Sequence, residues 1–167
     1  RPTVAPTPAK AQSLALDTDL LIGLVTMAWR MPGQRDPNYA AVTLLADAIA
    51  SQRGALFGLV PDGKALDAGF MYDPDAQAGL AVAYAGFPKG ANPDELRHTL
   101  ASLMEGFRKN GVPAELIEAA RRKEIAALEL NANALSEPAE NWSQAVPHQH
   151  LNRPADMSAR FRNLSKP

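Results

Sequence analysis

At 167 residues the chain is the right size for one hydrophobic core. Hydrophobic residues make up 46% and charged residues 21%, and 17 Lys+Arg against 18 Asp+Glu leave a net charge of −1, so a polyanion meets no general attraction and nucleic acid is excluded as an expected partner. Cysteine is absent, which excludes disulfides, thiolate zinc ligands and cysteine nucleophiles while leaving the compartment open.

Residues 1–9 contain Pro2, Pro6 and Pro8, which favour extended backbone and remove amide donors, so they read as an interdomain linker. Arg1 opens the chain where Met would be usual, and no long apolar stretch follows as a signal peptide needs, so a piece of a longer polypeptide is expected. Leu14 and Leu16 alternate with smaller residues before the turn formers Asp17, Thr18 and Asp19. Val25, Met27, Trp29 and Met31 then alternate with Leu24, Thr26 and Ala28. These spacings predict two strands in a hairpin, the second a central strand with apolar residues on both faces. The apolar run Leu20 to Met31 is too short to span a bilayer.

Asp36-Pro37 predicts a helix start, with Val42, Leu45, Ala46 and Ile49 as its buried stripe. Ala55 to Val60 suits one short further helix before Pro61-Asp62-Gly63 turns the chain. Two strands follow, Ala65 to Tyr72 and Gly79 to Phe87, and the short link through Asp73-Pro74-Asp75 demands an antiparallel hairpin. Asn92-Pro93-Asp94-Glu95 caps the next helix, whose buried face is Leu96, Leu100, Leu103, Met104 and Phe107 and whose stop is Asn110-Gly111. A third helix is expected from Ala114 toward Asn133, with Arg121, Arg122 and Lys123 solvated. The fold class is therefore α+β: an antiparallel sheet with helices packed on one face. Residues 10–135 form the expected single domain. Residues 136–167, broken by Pro138, Pro147 and Pro154, form a less ordered C-terminal segment with one short helix near Glu140 to Val146.

Sites are scarce in this pattern. Of the three histidines, His98 falls on the solvent side of a helix, while His148 and His150 alternate and could offer two metal ligands with no third in sight. Catalytic residues and a resident metal are accordingly expected to be absent. No G-x-S-x-G, phosphate-binding glycine loop or H-x-x-E-H occurs. Met27, Trp29 and Met31 stand as candidate peptide contacts, although alternate large apolar residues on a strand are more commonly core.

The run LVTMAWRMPGQRDPNYAAVTLLADAIAS, the short Leu-aromatic segment after it, the hairpin, NPDEL and NGVPAELIEAARR follow one another in an order that resembles the second-type, non-catalytic domain of the pitrilysin/insulinase zinc metallopeptidases. That group includes the mitochondrial processing peptidases and the core proteins of the respiratory cytochrome complex. The similarity runs from about Ser13 to Leu130. It implies a domain that scaffolds a chamber and helps hold peptide substrate, with no cofactor in this chain and zinc in the catalytic domain of the parent. Its partners would be other domains of the parent or a catalytic partner subunit, together with peptide, and a bacterial parent would suit the periplasm. Non-enzymatic assembly within the same fold is the alternative. Many members have Ser-Arg-Leu-Tyr where Gly54-Ala55-Leu56-Phe57 stands here, so no substrate contact carries over. The end at Pro167 falls about where the family would begin a last helix, so truncation before a final helix is expected.

Overall fold

The structure, a computed structural model, describes residues 10–16, 19–133, 151 and 156–164. Its elements are β1 (Ile22–Pro32), α1 (Tyr39–Ile49), a short 3-10 turn (Phe57–Leu59), β2 (Asp67–Pro74), β3 (Ala78–Pro88), α2 (Pro93–Asn110), α3 (Ala114–Asn133) and α4 (Asp156–Asn163). The strands form an antiparallel sheet in the order β1-β3-β2. This is the expected α+β class. The proposed linker, the short helix near Glu140 and both tail histidines lie outside the described residues.

The expected first hairpin does not form. Residues 10–16 are not a strand, and Leu14 and Leu16 are 81% and 79% exposed. Two alternating leucines report a possible face, but a strand needs a neighbour to satisfy its amides. β1 is correspondingly an edge strand rather than the central one. The centre is β3, and the reason is visible in its core-facing row: Ala81, Ala83 and Ala85 are each fully buried. Small side chains there let groups from both flanking strands converge above it. Across the register Trp29 faces Ala81 and Phe70 faces Ala83, and the two rings stack over the middle strand with centroids 6.4 Å apart.

The main core joins this row to Ile49 of α1, Leu56 and Leu59 of the 3-10 region, and Leu96 and Leu100 of α2. A second cluster joins Ala40, Leu44 and Ala48 of α1 to Leu116 and Ala120 of α3 and to Leu151, Met157 and Phe161. α1 therefore serves two interfaces, with apolar residues at i and i+4 on one side for α3 and at neighbouring positions for the sheet.

Boundaries follow local chemistry. The Asn92 side-chain oxygen accepts from the Asp94 amide at 2.9 Å, and Gly111 closes α2 with φ 78° but ψ 177°, an extended positive-φ conformation open chiefly to glycine rather than the left-handed cap expected. α1 starts later than Asp36-Pro37 suggests: the Asp36 carboxylate accepts from the Asn38 amide at 2.8 Å, forming a tight turn, and helix begins at Tyr39. In the segment expected to carry little order, α4 buries Met157 and Phe161. Arg121 is not solvated as its Arg121-Arg122-Lys123 run suggests but 7% exposed. Its Nη1 donates to the Phe161 and Leu164 carbonyls at 3.3 and 2.7 Å, and its Nε lies 3.4 Å from Glu118. A cation at these C-terminal carbonyls satisfies groups that a helix end leaves unpaired.

Tyr72 ties the far end of the sheet together. Its ring lies against Gly79, and its hydroxyl donates to the Pro32 carbonyl at 2.6 Å. Burial, then the nearby Tyr39 and Asp36, pushes the phenol up to about 12, so it remains a donor at every ordinary pH. Tyr72→Phe should cost about 1 kcal/mol. Urea unfolding would measure it, and a loss below a few tenths would show that the bond contributes nothing net.

Candidate functional site

Among the described residues, helices cover one face of the sheet and none packs on the opposite face. Side chains alternate across a strand, so the row on this face can be read from the register: Leu24 with Gly86 and Asp67, Thr26 with Tyr84 and Gly69, Ala28 with Val82 and Met71, and Arg30 with Leu80 and Asp73. Ile22, Leu24, Met71 and Leu80 are 48%, 58%, 57% and 52% exposed. Ile22 and Leu24 lie toward one end of this face and Met71 and Leu80 toward the other, and several large apolar side chains exposed on one face point to an interaction surface more than scattered single leucines do. Tyr84 completes the middle of the face by lying over Gly69, where an added Cβ would come within 2.7 Å of the ring. Charge is confined to the rim, with Arg30 and Asp73 flanking Leu80 at one end and Asp67 at the other.

The two sheet edges differ. β2 places Asp67, Asp73 and Pro74 along its length, and charge and proline discourage pairing with another strand. β1 is eleven residues long and carries charge only at Arg30, near its end. It is preceded directly by the exposed Leu20 and Leu21.

Met27, Trp29 and Met31 occupy the other face of this same strand. All three are partly buried, and Met27 and Trp29 pack against the main core beneath α2. His98 lies on exposed α2, lining a shallow surface hollow with Asp62, Lys64 and Glu95. Among the described residues, no three His, Cys, Asp or Glu side chains converge as a metal ion would require. The described residues therefore offer no zinc site, and His148 and His150 lie outside them. Leu24, Met71 and Leu80 were not singled out by sequence reasoning; the only signal was that both faces of the second strand are apolar.

Comparison with known proteins agrees with this architecture. The family model described as the peptidase M16 inactive domain matches residues 2–124. No curated protein sequence matches the chain. The inactive peptidase domain assigned to a zinc protease of Bordetella parapertussis is similar in structure, with a TM-score of 0.73 and 22% identity over 86% of this chain and 80% of that one. A protease from Helicobacter pylori has a TM-score of 0.75 at 16% identity, covering 89% of this chain and 37% of that chain. A chain of complex III2 from Candida albicans has a TM-score of 0.69 at 13% identity, covering 89% and 38%. Identities this low establish the fold alone.

Proposed function

The chain belongs to the peptidase M16 inactive-domain family, and from that premise we propose that it is a non-catalytic domain of a zinc metallopeptidase, forming part of the wall around a peptide and helping to hold it. The observation that carries this is the exposed apolar sheet face beside the outer edge of β1, which pairs with no second strand among the described residues. An unpaired strand edge is complementary to an extended backbone, because it can exchange main-chain hydrogen bonds regardless of side-chain sequence. Exposed aliphatic residues on the adjoining face would add contact without demanding one particular partner. A peptide laid along β1 would also meet the accessible flanks of Met27, Trp29 and Met31. Zinc and its hydrolytic chemistry would belong to a different domain of the parent or to a partner subunit.

The measurement is titration of the chain with a fluorescent, unstructured apolar peptide, alongside Leu24→Asp and Met71→Asp. Each substitution removes contact area from an exposed position without touching the core, and should weaken binding roughly tenfold with unchanged thermal stability. Unaltered affinity in both variants would count against the open face, and peptide cleavage by the chain with added zinc would end the non-catalytic reading. A second reading, assembly without peptidase activity, is favoured by the similar fold found in complex III2. An H-x-x-E-H motif in the parent polypeptide or its partner separates the two.

A further inference from the structure

α4 sits in a seat made by two other helices. α1 contributes Ala40, Leu44 and Ala48 at i, i+4 and i+8, and α3 contributes Leu116 and Ala120 at i and i+4, so each helix turns one buried side toward the other. The alanines leave a shallow groove between them. Met157 and Phe161, themselves at i and i+4 on α4, fill it and are buried there.

The groove also has a polar end. The guanidinium of Arg121, a residue of α3, is buried, and its Nη1 donates to the carbonyls of Phe161 and Leu164 at 3.3 and 2.7 Å. Glu118, on the same face of α3, lies 3.4 Å from the Arg121 Nε and balances its charge. Carbonyls at a helix C-terminus lack intrahelical donors and carry the negative end of the helix dipole, so a fixed cation there recognises where a helix ends rather than which side chains it bears. The apolar pair supplies the rest of the match. The exposed contact of Arg162 with Glu129 adds little.

Without this seat α4 is a poor helix, because eight residues are too few to be stable alone in water. The main core, in contrast, contains no residue of α4, so the sheet, α2 and the 3-10 turn keep their packing when it leaves. We propose that the groove between α1 and α3 is a docking site for a short amphipathic helix, that α4 is its exchangeable occupant, and that Arg121 is the residue that selects a helix end. The ligand it takes has large apolar side chains at i and i+4 and free C-terminal carbonyls, and the same segment supplied from a second molecule fits it. This site is distinct from the strand edge and sheet face proposed above for an extended peptide, since it is built from α1 and α3 and takes a helix.

The test uses the full 167-residue chain and a fluorescent peptide of residues 156–164 with an amidated end, followed by anisotropy. Phe161→Asp unseats the chain's own α4, because a carboxylate cannot enter an apolar groove unpaired. That variant should bind the peptide roughly tenfold or more tightly than the unsubstituted chain, in which the tethered α4 competes. Adding Arg121→Met should weaken the binding roughly tenfold, whereas adding Arg122→Met, at the exposed neighbour, should leave it unchanged. Binding no tighter than to the unsubstituted chain, or no difference between the two added substitutions, overturns the proposal. If Phe161→Asp fails to fold, amide exchange in the unsubstituted chain decides the matter. Residues 157–163 should then open roughly tenfold or more often than α1 and α3, and opening only together with those helices would make α4 a fixed part of the core and sink the idea.

Discussion

Leu100→Ala should destabilise the chain by about 3–5 kcal/mol, a large part of the 5–15 kcal/mol typical of a whole domain. Leu100 is fully buried on α2 and belongs to the cluster that includes Ala83, Ala85, Val25 and Leu56. The alanine row of β3 has no long side chains with which to close the resulting gap. Neighbours on the flanking strands are already engaged, Trp29 and Phe70 with one another. The transfer loss and the cavity loss therefore add. A lower urea midpoint at constant slope would be the signature of lost stability rather than a changed unfolded state. A loss under about 1 kcal/mol would show that α2 collapses onto the sheet and that the core is not close-packed there.

Gly33→Ala should cost about 2–4 kcal/mol, for a different reason. A Cβ at Gly33 would stand 2.4 Å from the Ala78 nitrogen and 2.5 Å from the Asp75 oxygen. Both are backbone atoms, so no side-chain rotation relieves the clash. The loop after β1 is pinned to the β2–β3 turn at this point: the amides of Gln34 and Arg35 donate to the Asp75 and Ala76 carbonyls at 2.9 and 3.1 Å. Moving the loop sacrifices those bonds and displaces the turn that starts α1. Exchange protection should fall first at residues 33–38 and 75–78. Gly106→Ala is the control, because nothing lies within 4 Å of its added Cβ and a helix interior favours alanine; it should be neutral or stabilising by up to about 1 kcal/mol. Equal losses at both glycines would refute the close-approach explanation.

Much of this architecture was legible because the signals were local. The hairpin of β2 and β3 followed from alternation plus a link too short for a crossover, and the start of α2 from a cap whose hydrogen bond is present. Strand neighbours are another matter. Alternation in β1 said that both faces were apolar, but not that one would be covered by helices and the other left open. Met27, Trp29 and Met31 were consequently the visible candidates, whereas Ile22, Leu24, Met71 and Leu80 became a surface only when three strands set them side by side.

Charge misled for a related reason. Arg121, between Ala120 and Arg122, looks like part of a solvated basic run, yet it is buried. Burial is tolerable only because the carbonyls of Phe161 and Leu164, forty and more residues away, accept its protons. α4 was equally hard to foresee, since an eight-residue helix with two large apolar residues has little intrinsic stability and depends on the partners it meets.

By itself, then, the sequence determined the order and type of most elements between Ile22 and Asn133, the antiparallel hairpin, the helix caps and the family resemblance, all of which depend on spacing along the backbone. Only packing placed β3 in the centre, left Leu24 and Leu80 exposed on the far face, and buried Arg121 against the carbonyls of Phe161 and Leu164. Those outcomes depend on which distant surfaces exclude water from one another, and periodicity records a buried face without recording what buries it.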